Sequence, residues 1–116
     1  MKKILLVDDE ESIHLLYRAV LEEEGYKVHS ALTGVNALQK LKIVSPDLII
    51  LDISMPGMNG IEVLRKIKDV NPKTKVILSS AYHEYKQDIG AWASDDYIIK
   101  SSDLDELKAA VRQHLS

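Results

Sequence analysis

Short apolar runs alternate along this chain with longer segments in which apolar residues recur every three or four positions. The first pattern predicts β-strands and the second predicts amphipathic α-helices. The predicted strands are residues 4–7, 27–31, 47–52, 75–80 and 96–100. The predicted helices are residues 12–24, 33–44, 59–70, 84–93 and 103–115. Strands that alternate with helices predict a parallel sheet with helices on both faces.

The polarity of individual strands predicts their order in that sheet. Residues 47–52 form the most apolar strand and are expected at the centre, whereas the more polar strand 27–31 is expected at an edge. With right-handed crossovers, these positions favour the order 2-1-3-4-5. We therefore predict a doubly wound α/β fold of the flavodoxin-like class, with five parallel strands flanked by five helices. A single domain spanning 1–116 is expected for a chain of this length.

Reactive side chains stand at the carboxyl ends of the predicted strands. In chain order they are the adjacent carboxylates Asp8 and Asp9, the carboxylate Asp52, the hydroxyls Ser79 and Ser80, and the amine Lys100. Parallel strands bring these ends to one edge of the sheet, where open α/β sheets bind ligands. Two carboxylates in contact repel each other by roughly 4 kcal/mol at an effective dielectric constant of about 20, so a cation or a phosphoryl group is expected there. The pattern predicts a metal-assisted phosphoryl site.

Composition narrows the function classes. The net charge of −3, from 18 acidic and 15 basic residues, argues against a nucleic-acid-binding surface, because such surfaces are usually basic. The chain has no cysteine, so disulfides and thiolate metal sites are excluded. No apolar run approaches the roughly 20 residues that span a bilayer, and the first run is too short for a signal peptide. We expect a cytoplasmic protein without membrane or nucleic-acid partners.

Four sequence marks together point to a family. They are Asp8-Asp9 after the first strand, Asp52 with the block 55–60 (Met-Pro-Gly-Met-Asn-Gly), Ser80-Ala81 after the fourth strand, and Tyr97 with Lys100 on the fifth. In this order and at these strand ends, the chain resembles a response-regulator receiver domain of two-component signalling over essentially its whole length. The resemblance implies that Asp52 accepts a phosphoryl group from a sensor histidine kinase. It also implies a switchable protein-binding surface, through which the domain either signals to a downstream protein or passes the phosphoryl group onward in a phosphorelay.

The resemblance implies a metal site as well. Asp9 and Asp52 are expected to ligate Mg²⁺ directly, together with the backbone carbonyl of Ser54. Asp8 is expected to hold a metal-bound water. Mg²⁺ suits such a site because it takes oxygen ligands in octahedral geometry and keeps several of its waters.

Two more residues are expected to contact the phosphoryl oxygens, and a third to report the switch. Ser80 bonds one oxygen in this family, and Lys100 pairs with another as a compact charge. Ser79 is a rival for the hydroxyl role, but side chains alternate along a strand, so only one of the two is expected to face the site. Tyr97 matches the aromatic switch of the family, which faces outward in the inactive state and inward in the active state.

The first helix and the last loop carry further expectations. The apolar stripe of this helix is wider than one buried face requires, so Ile13 and Leu16, near Asp9, are expected to be partly exposed. The resemblance suggests that they dock the helical hairpin that carries the kinase histidine. The histidines show no metal-ligand spacing and are interpreted as solvated. They are His14, His29, His83 and His114. Receiver domains have proline after their lysine, whereas Lys100 precedes Ser101, and we predict a trans bond because a non-proline cis bond costs about 2.5–4 kcal/mol.

Two other functions fit part of the pattern. A haloacid-dehalogenase-type phosphatase also uses Mg²⁺ and a strand-end aspartate, but that family places one residue between its two aspartates, whereas Asp8 and Asp9 are adjacent. A flavodoxin needs a hydroxyl- and glycine-rich phosphate loop after the first strand, where carboxylates would repel the FMN phosphate. Incubation with acetyl phosphate and Mg²⁺, followed by intact-mass measurement, separates these alternatives.

Overall fold

Our computed structural model describes residues 1–53, 60–80, 95–100 and 104–115, which form five strands and four helices. In chain order they are β1 (Lys3–Val7), α1 (Glu11–Glu23), β2 (Lys27–Ala31), α2 (Gly34–Val44), β3 (Leu48–Asp52), α3 (Gly60–Val70), β4 (Lys75–Ser80), β5 (Asp96–Ile99) and α4 (Asp105–Leu115). The boundaries follow the predicted ones closely. The predicted helix 84–93 lies outside the described residues.

The five strands form one parallel sheet in the predicted order, β2-β1-β3-β4-β5. β3 lies at the centre and all of its residues are buried, because helices cover both faces of a parallel sheet. β2 lies at one edge and is partly exposed. The strand order reverses between β1 and β3, so the carboxyl ends of these two strands form the crevice in which such sheets bind ligands.

Two apolar layers fill the space between the sheet and the helices. On one face, Leu5 and Leu78 pack with residues of α2 and α3. On the other face, Leu6 and Ile77 pack with residues of α1 and α4. Successive residues of a strand therefore belong to opposite layers, as the alternation of side chains requires. Within the described ranges, no helix is long and apolar enough to cross a membrane.

A glycine lets α3 begin close to the end of β3. A Cβ atom at Gly60 would lie 2.8 Å from the Cα atom of Ile53, closer than real side chains come. Ile53 directly follows Asp52, and its N–H donates to the carbonyl oxygen of Ser79 at 3.1 Å. The start of α3 is thereby held against the segment that leaves Asp52.

The buried face of α1 is not its most apolar one. His14, Tyr17 and Leu21 face the core, at the spacing of one helical stripe. Leu15 is 74% exposed and Leu16 is 43% exposed, although both are apolar. The interpretation of the histidines as solvated is wrong for His14, which is 7% exposed.

Candidate phosphoryl-transfer site

The ends of three parallel strands bring opposite charges together at one edge of the sheet. Asp8 directly follows β1, Asp52 ends β3, and Lys100 directly follows β5. Both aspartates are almost fully buried, with exposures of 1% and 2%. Register and alternation place these three side chains on the α1 side of the sheet. The sequence predicted this convergence.

The Lys100 ammonium group is shared by several carboxylates. Its Nζ lies 2.7 Å from Asp8 Oδ2, 3.0 Å from Asp52 Oδ2 and 3.4 Å from Glu10 Oε1. The backbone N–H of Lys100 donates to the carbonyl oxygen of Ser80 at 2.7 Å, which extends the ladder between β4 and β5 by one bond. This bond fixes the backbone of Lys100, from which the flexible side chain reaches the carboxylates.

Burial and charge shift the pKa values of this cluster. Burial raises the pKa of Asp8 above its ordinary value, and the nearby charge of Asp52 adds to the rise, although Lys100 and the N–H of Glu10 oppose it. Burial by itself lowers the pKa of Lys100, but the hydrogen bonds to Asp8 and Asp52 outweigh it, and the net shift is upward. Lys100 therefore stays charged, and its charge does not fully compensate the surrounding carboxylates.

The acidic turn after β1 supplies candidate metal ligands. Carboxylate oxygens of Asp8, Asp9 and Glu10 lie within 4.8 Å of one another, and Asp9 and Glu10 are exposed. The Asp8 side chain is held from within the turn, because its Oδ1 accepts from the N–H of Glu10 at 2.9 Å. Clustered carboxylate oxygens with access to water are the donor set that Mg²⁺ prefers.

The two serines at the end of β4 face different sides of the sheet. Ser79 stands in register with Asp52 and shares its side, whereas alternation places Ser80 on the opposite side with Leu78. Both are buried, and the Ser79 hydroxyl has no hydrogen-bond partner within the described part of the chain. Ser80 ends the strand, so its hydroxyl lies at the edge of the sheet. The phosphoryl-binding role of Ser80 stays a prediction.

Tyr97 lies on the same side of the sheet as Ser80. It is 5% exposed and packs in the layer that faces α2 and α3. Its partner across the ladder is Leu78, and Ser80 pairs with Ile99 two residues farther along β5. The two residues that were predicted to switch together are therefore neighbours on one face.

Sequence reasoning missed two residues of this site. Glu10 contacts Lys100, and the acidic run 8–11 could have indicated it. His14 was misread, although it follows Asp8 by six residues and shares a helical stripe with Tyr17. Two expectations lie outside the described residues: the carbonyl ligand at Ser54 and the peptide bond between Lys100 and residue 101.

Comparison with known proteins now decides the family. A sequence profile of the response regulator receiver domain matches residues 4–112. The chain belongs to the response regulator receiver domain family. This receiver domain is 36% identical to sporulation initiation phosphotransferase F of Bacillus subtilis, over 98% of the chain and 94% of that protein. It is 35% identical to regulatory protein AtoC of Escherichia coli over 99% of the chain, but it spans only 25% of AtoC.

Solved structures agree with this assignment. The receiver domain superposes on the response regulator TrrA of Thermotoga maritima, in complex with Mg²⁺-BeF, with a TM-score of 0.93 and 45% identity over 99% of this chain and 100% of that chain. It is also similar to TrrA in a complex with the histidine kinase ThkA, with a TM-score of 0.91 and 46% identity over the full length of both chains. The family predicted from the sequence is confirmed.

Proposed function

We propose that this receiver domain accepts a phosphoryl group on Asp52 from a sensor histidine kinase. The observation that carries the proposal is one partly buried ammonium, that of Lys100, shared by the buried carboxylates of Asp8 and Asp52 at the ends of β1 and β3. We assign the nucleophile role to Asp52 and a supporting role to Asp8, whose Oδ1 accepts from the N–H of Glu10 within the turn. A carboxylate in this setting is a known covalent acceptor.

The transfer replaces one P–N bond with one P–O bond. An oxygen of Asp52 attacks the phosphorus of a phosphohistidine, a P–O bond forms, and the P–N bond breaks with its electron pair returning to the imidazole. The product is an acyl phosphate. Charge in the transition state spreads over three equatorial oxygens. Lys100, which the fold already holds beside Asp52, stabilises that charge, and the Ser80 hydroxyl adds to it when it moves toward a phosphoryl oxygen.

The same edge of the sheet fits Mg²⁺. The carboxylate oxygens of Asp8, Asp9 and Glu10 are clustered, and the pKa of Asp8 is raised because burial disfavours its charge, so a cation there relieves an imbalance. We assign Asp9 and Asp52 as direct ligands with the carbonyl of Ser54, and Asp8 as the holder of a metal-bound water. When bound, Mg²⁺ neutralises charge on the transferring group.

Acetyl phosphate tests this function without a kinase. Incubation with acetyl phosphate and Mg²⁺ should add one phosphoryl group to the intact mass of the protein, and omission of Mg²⁺ should prevent the addition. Asp52→Asn should abolish labelling. Asp95 directly precedes β5, at the amino ends of the strands. Asp95→Asn removes a carboxylate far from the site, so it is the matched control and should label normally. Labelling of the Asp52→Asn variant at the rate of the wild type would reject the proposal.

We propose that phosphorylation is read through Ser80 and Tyr97. A phosphoryl oxygen on Asp52 attracts the Ser80 hydroxyl, and the space that this movement opens on the shared face stabilises the inward position of Tyr97, which is buried in this structure as well. A hydrogen bond to a charged group contributes about 1.5–3 kcal/mol, enough to shift a two-state equilibrium roughly ten- to a hundredfold. Beryllofluoride should reproduce the shift. NMR changes confined to the carboxylate cluster, without any at Tyr97, would contradict this coupling.

The kinase docks on α1 in this proposal. Leu16 is 43% exposed, and Ile13 is partly exposed near Asp9, so both offer apolar contact beside the acceptor. The donor histidine must come within about 3–3.5 Å of Asp52 in line. Leu16→Ala should slow transfer from the kinase and leave labelling by acetyl phosphate unchanged. Ile43→Ala, at a position that is 82% exposed on α2, is the matched control and should affect neither reaction.

The finer features of the fold and setting belong to the same proposal. We place residues 1–116 in one receiver domain, with the predicted helix 84–93 as the fourth of five in chain order and with a trans bond after Lys100. The output is a contact with a downstream protein, and the cellular setting is the cytoplasm, as the sequence predicts. A high-resolution crystal structure with beryllofluoride tests the helix and the bond together.

A further inference from the structure

His14 lies in the first turn of α1 and faces the sheet. The side chain is 7% exposed, and the next residues of its stripe, Tyr17 and Leu21, are buried below it. A buried imidazole is unfavourable unless its nitrogens find hydrogen-bond partners. Its Nε2 lies 2.7 Å from the backbone carbonyl oxygen of Asp8. This contact joins α1 to the acidic turn of the site.

The contact determines which nitrogen carries the proton. A carbonyl oxygen only accepts hydrogen bonds, so Nε2 of His14 must be the donor. Nδ1 is buried and has no partner among the residues that the structure describes. A leucine would fill similar space and remove the unpaired Nδ1, whose burial is destabilising, but the Asp8 carbonyl would lose its donor, so the two effects on stability offset each other. Packing alone therefore does not explain a histidine at this position.

The bonded carbonyl belongs to the peptide that links Asp8 to Asp9. The Asp8 N–H donates to the carbonyl oxygen of Ala31 at 3.1 Å, and the Asp8 carboxylate contacts Lys100. Asp9 is different, because in the described part of the chain it forms neither a hydrogen bond nor an ion pair. The direction in which its carboxylate leaves the backbone is set by the preceding peptide, and His14 holds that peptide.

We propose that His14 is a positioning residue for the cation site: by holding the Asp8 carbonyl, it keeps the Asp9 carboxylate beside that of Asp8. The inference rests on the proposed function, since it concerns the same Mg²⁺ ligands. Residues that orient metal ligands typically change metal affinity about ten- to a hundredfold when they are replaced.

The test compares His14→Leu with His14→Gln by Mg²⁺ titration calorimetry and by urea unfolding without Mg²⁺. His14→Leu should weaken Mg²⁺ binding about tenfold or more, without lowering the unfolding midpoint. His14→Gln should bind like the wild type, because the glutamine amide nitrogen reaches the place of Nε2. Leu21→Ala is the matched control from the same stripe. It should lower the unfolding midpoint and leave Mg²⁺ affinity unchanged.

The outcomes separate the two proposals. A wild type that binds Mg²⁺ beside a His14→Leu variant of equal affinity would overturn the role of His14 and leave the phosphoacceptor proposal standing. Equal losses of affinity in Leu21→Ala would also overturn it, since any destabilisation would then suffice. A wild type that does not bind Mg²⁺ would reject both. If His14→Leu does not fold, His14→Asn replaces it, because its amide is too short to reach the carbonyl and affinity should fall.

Discussion

The amino ends and the carboxyl ends of the strands, here called the amino edge and the carboxyl edge, each carry a cluster of lysines and carboxylates. The two clusters differ in their balance of charge. At the amino edge, where β4 and β5 begin, the carboxylate of Asp95 contacts two lysines. Lys68 Nζ lies 2.8 Å from its Oδ2, and Lys75 Nζ lies 3.7 Å from its Oδ1. At the carboxyl edge, one lysine serves three carboxylates. The Asp95 cluster has more lysines than carboxylates, and the Lys100 cluster has more carboxylates than lysines.

At the amino edge, hydrogen bonds and lysine charges compensate the charge of Asp95. Asp95 Oδ2 also accepts from the N–H of Val76 at 2.8 Å, and Lys68 donates to the carbonyl oxygen of Thr74 at 2.8 Å. Burial by itself raises the pKa of Asp95, but the bonds from Lys68 and Val76 outweigh it, and the pKa is lowered. An ionised Asp95 therefore stabilises the fold by tying α3 to the start of β4.

At the carboxyl edge, the contacts of Asp8 do not fully compensate its charge. Burial raises the pKa of Asp8 although Lys100 contacts it at 2.7 Å, so the ionised form is disfavoured there. An additional cation would balance this edge, whereas the amino edge needs none. One fold thus separates a compensated charge cluster from one in which the ionised form of a carboxylate is disfavoured.

Removal of the lysine at each edge should give the largest difference. Lys100→Met leaves the nearly buried Asp8 and Asp52 without their shared cation and should lower the free energy of unfolding by about 3 kcal/mol without Mg²⁺. Lys68→Met should cost about 1–2 kcal/mol, because the side chains of Lys68 and Asp95 keep about a fifth of their surface in water and Asp95 keeps Lys75. Urea unfolding in EDTA measures both.

Added Mg²⁺ sharpens that test. It should restore part of the stability that Lys100→Met loses, because the ion supplies positive charge at the carboxyl edge. It should have no selective effect on Lys68→Met. Equal recovery of the two variants would mean that the ion acts through general screening and not at a site.

The sheet order and the positions of the charged residues at the carboxyl edge were predictable from the sequence. The positions of Asp8, Asp52 and Lys100 at one edge follow from chain order, parallel strands and alternation of side chains, all of which the hydrophobic pattern encodes. The sheet order followed from the apolarity of residues 47–52 and the polarity of 27–31. These features depend on local pattern and on few topological rules, so sequence reasoning reached them.

The missed features depend on geometry that pattern does not encode. The rotation of α1 about its axis buries His14 and Tyr17 and exposes Leu15, although apolarity alone favours the reverse. The contact of Glu10 with Lys100 depends on how tightly the turn after β1 closes. The partners of Asp95 join segments far apart in sequence, and the pair Asp95-Asp96 at the start of a strand gives no sign of them.

Mg²⁺ should stabilise the wild type by an amount that mass action sets. Ligand linkage gives about 2.7 kcal/mol at a hundred times the dissociation constant. Asp9→Ala should remove most of this gain, because it deletes an exposed carboxylate that we propose as a ligand. Asp95→Asn should keep all of it, although the variant starts from a lower stability. If the melting temperature of the wild type does not change across a millimolar Mg²⁺ titration, the hypothesis that the carboxyl edge binds a cation is rejected.

Neutralising one acid at each edge should change stability in opposite directions. Without Mg²⁺ at neutral pH, Asp8→Asn should raise the free energy of unfolding by about 1 kcal/mol, since it removes a charge whose ionised form the fold disfavours. Asp95→Asn should lower it by about 1 kcal/mol, because it weakens a satisfied ion pair. Chemical denaturation in EDTA gives both signs. Two losses would show that the carboxyl edge is as well balanced as the amino edge.

The smallest effect is a difference in pH dependence. The folded pKa of Asp95 lies below its unfolded value of about 3.9, so its contribution is present above that value and is lost as the pH falls through the folded pKa. The folded pKa of Asp8 lies above its unfolded value, so its contribution is present at low pH and is lost as the pH rises through the folded pKa.

Melting curves in EDTA from about pH 3 to pH 7 distinguish these signs. Asp95→Asn should flatten the loss of stability on the acid side, and Asp8→Asn should flatten the decline that follows as the pH rises. Mg²⁺ should reduce the second effect, because a bound cation favours ionised Asp8 and lowers its pKa. It should leave the first unchanged. The same shift in both variants would contradict the opposite charge balance of the two edges.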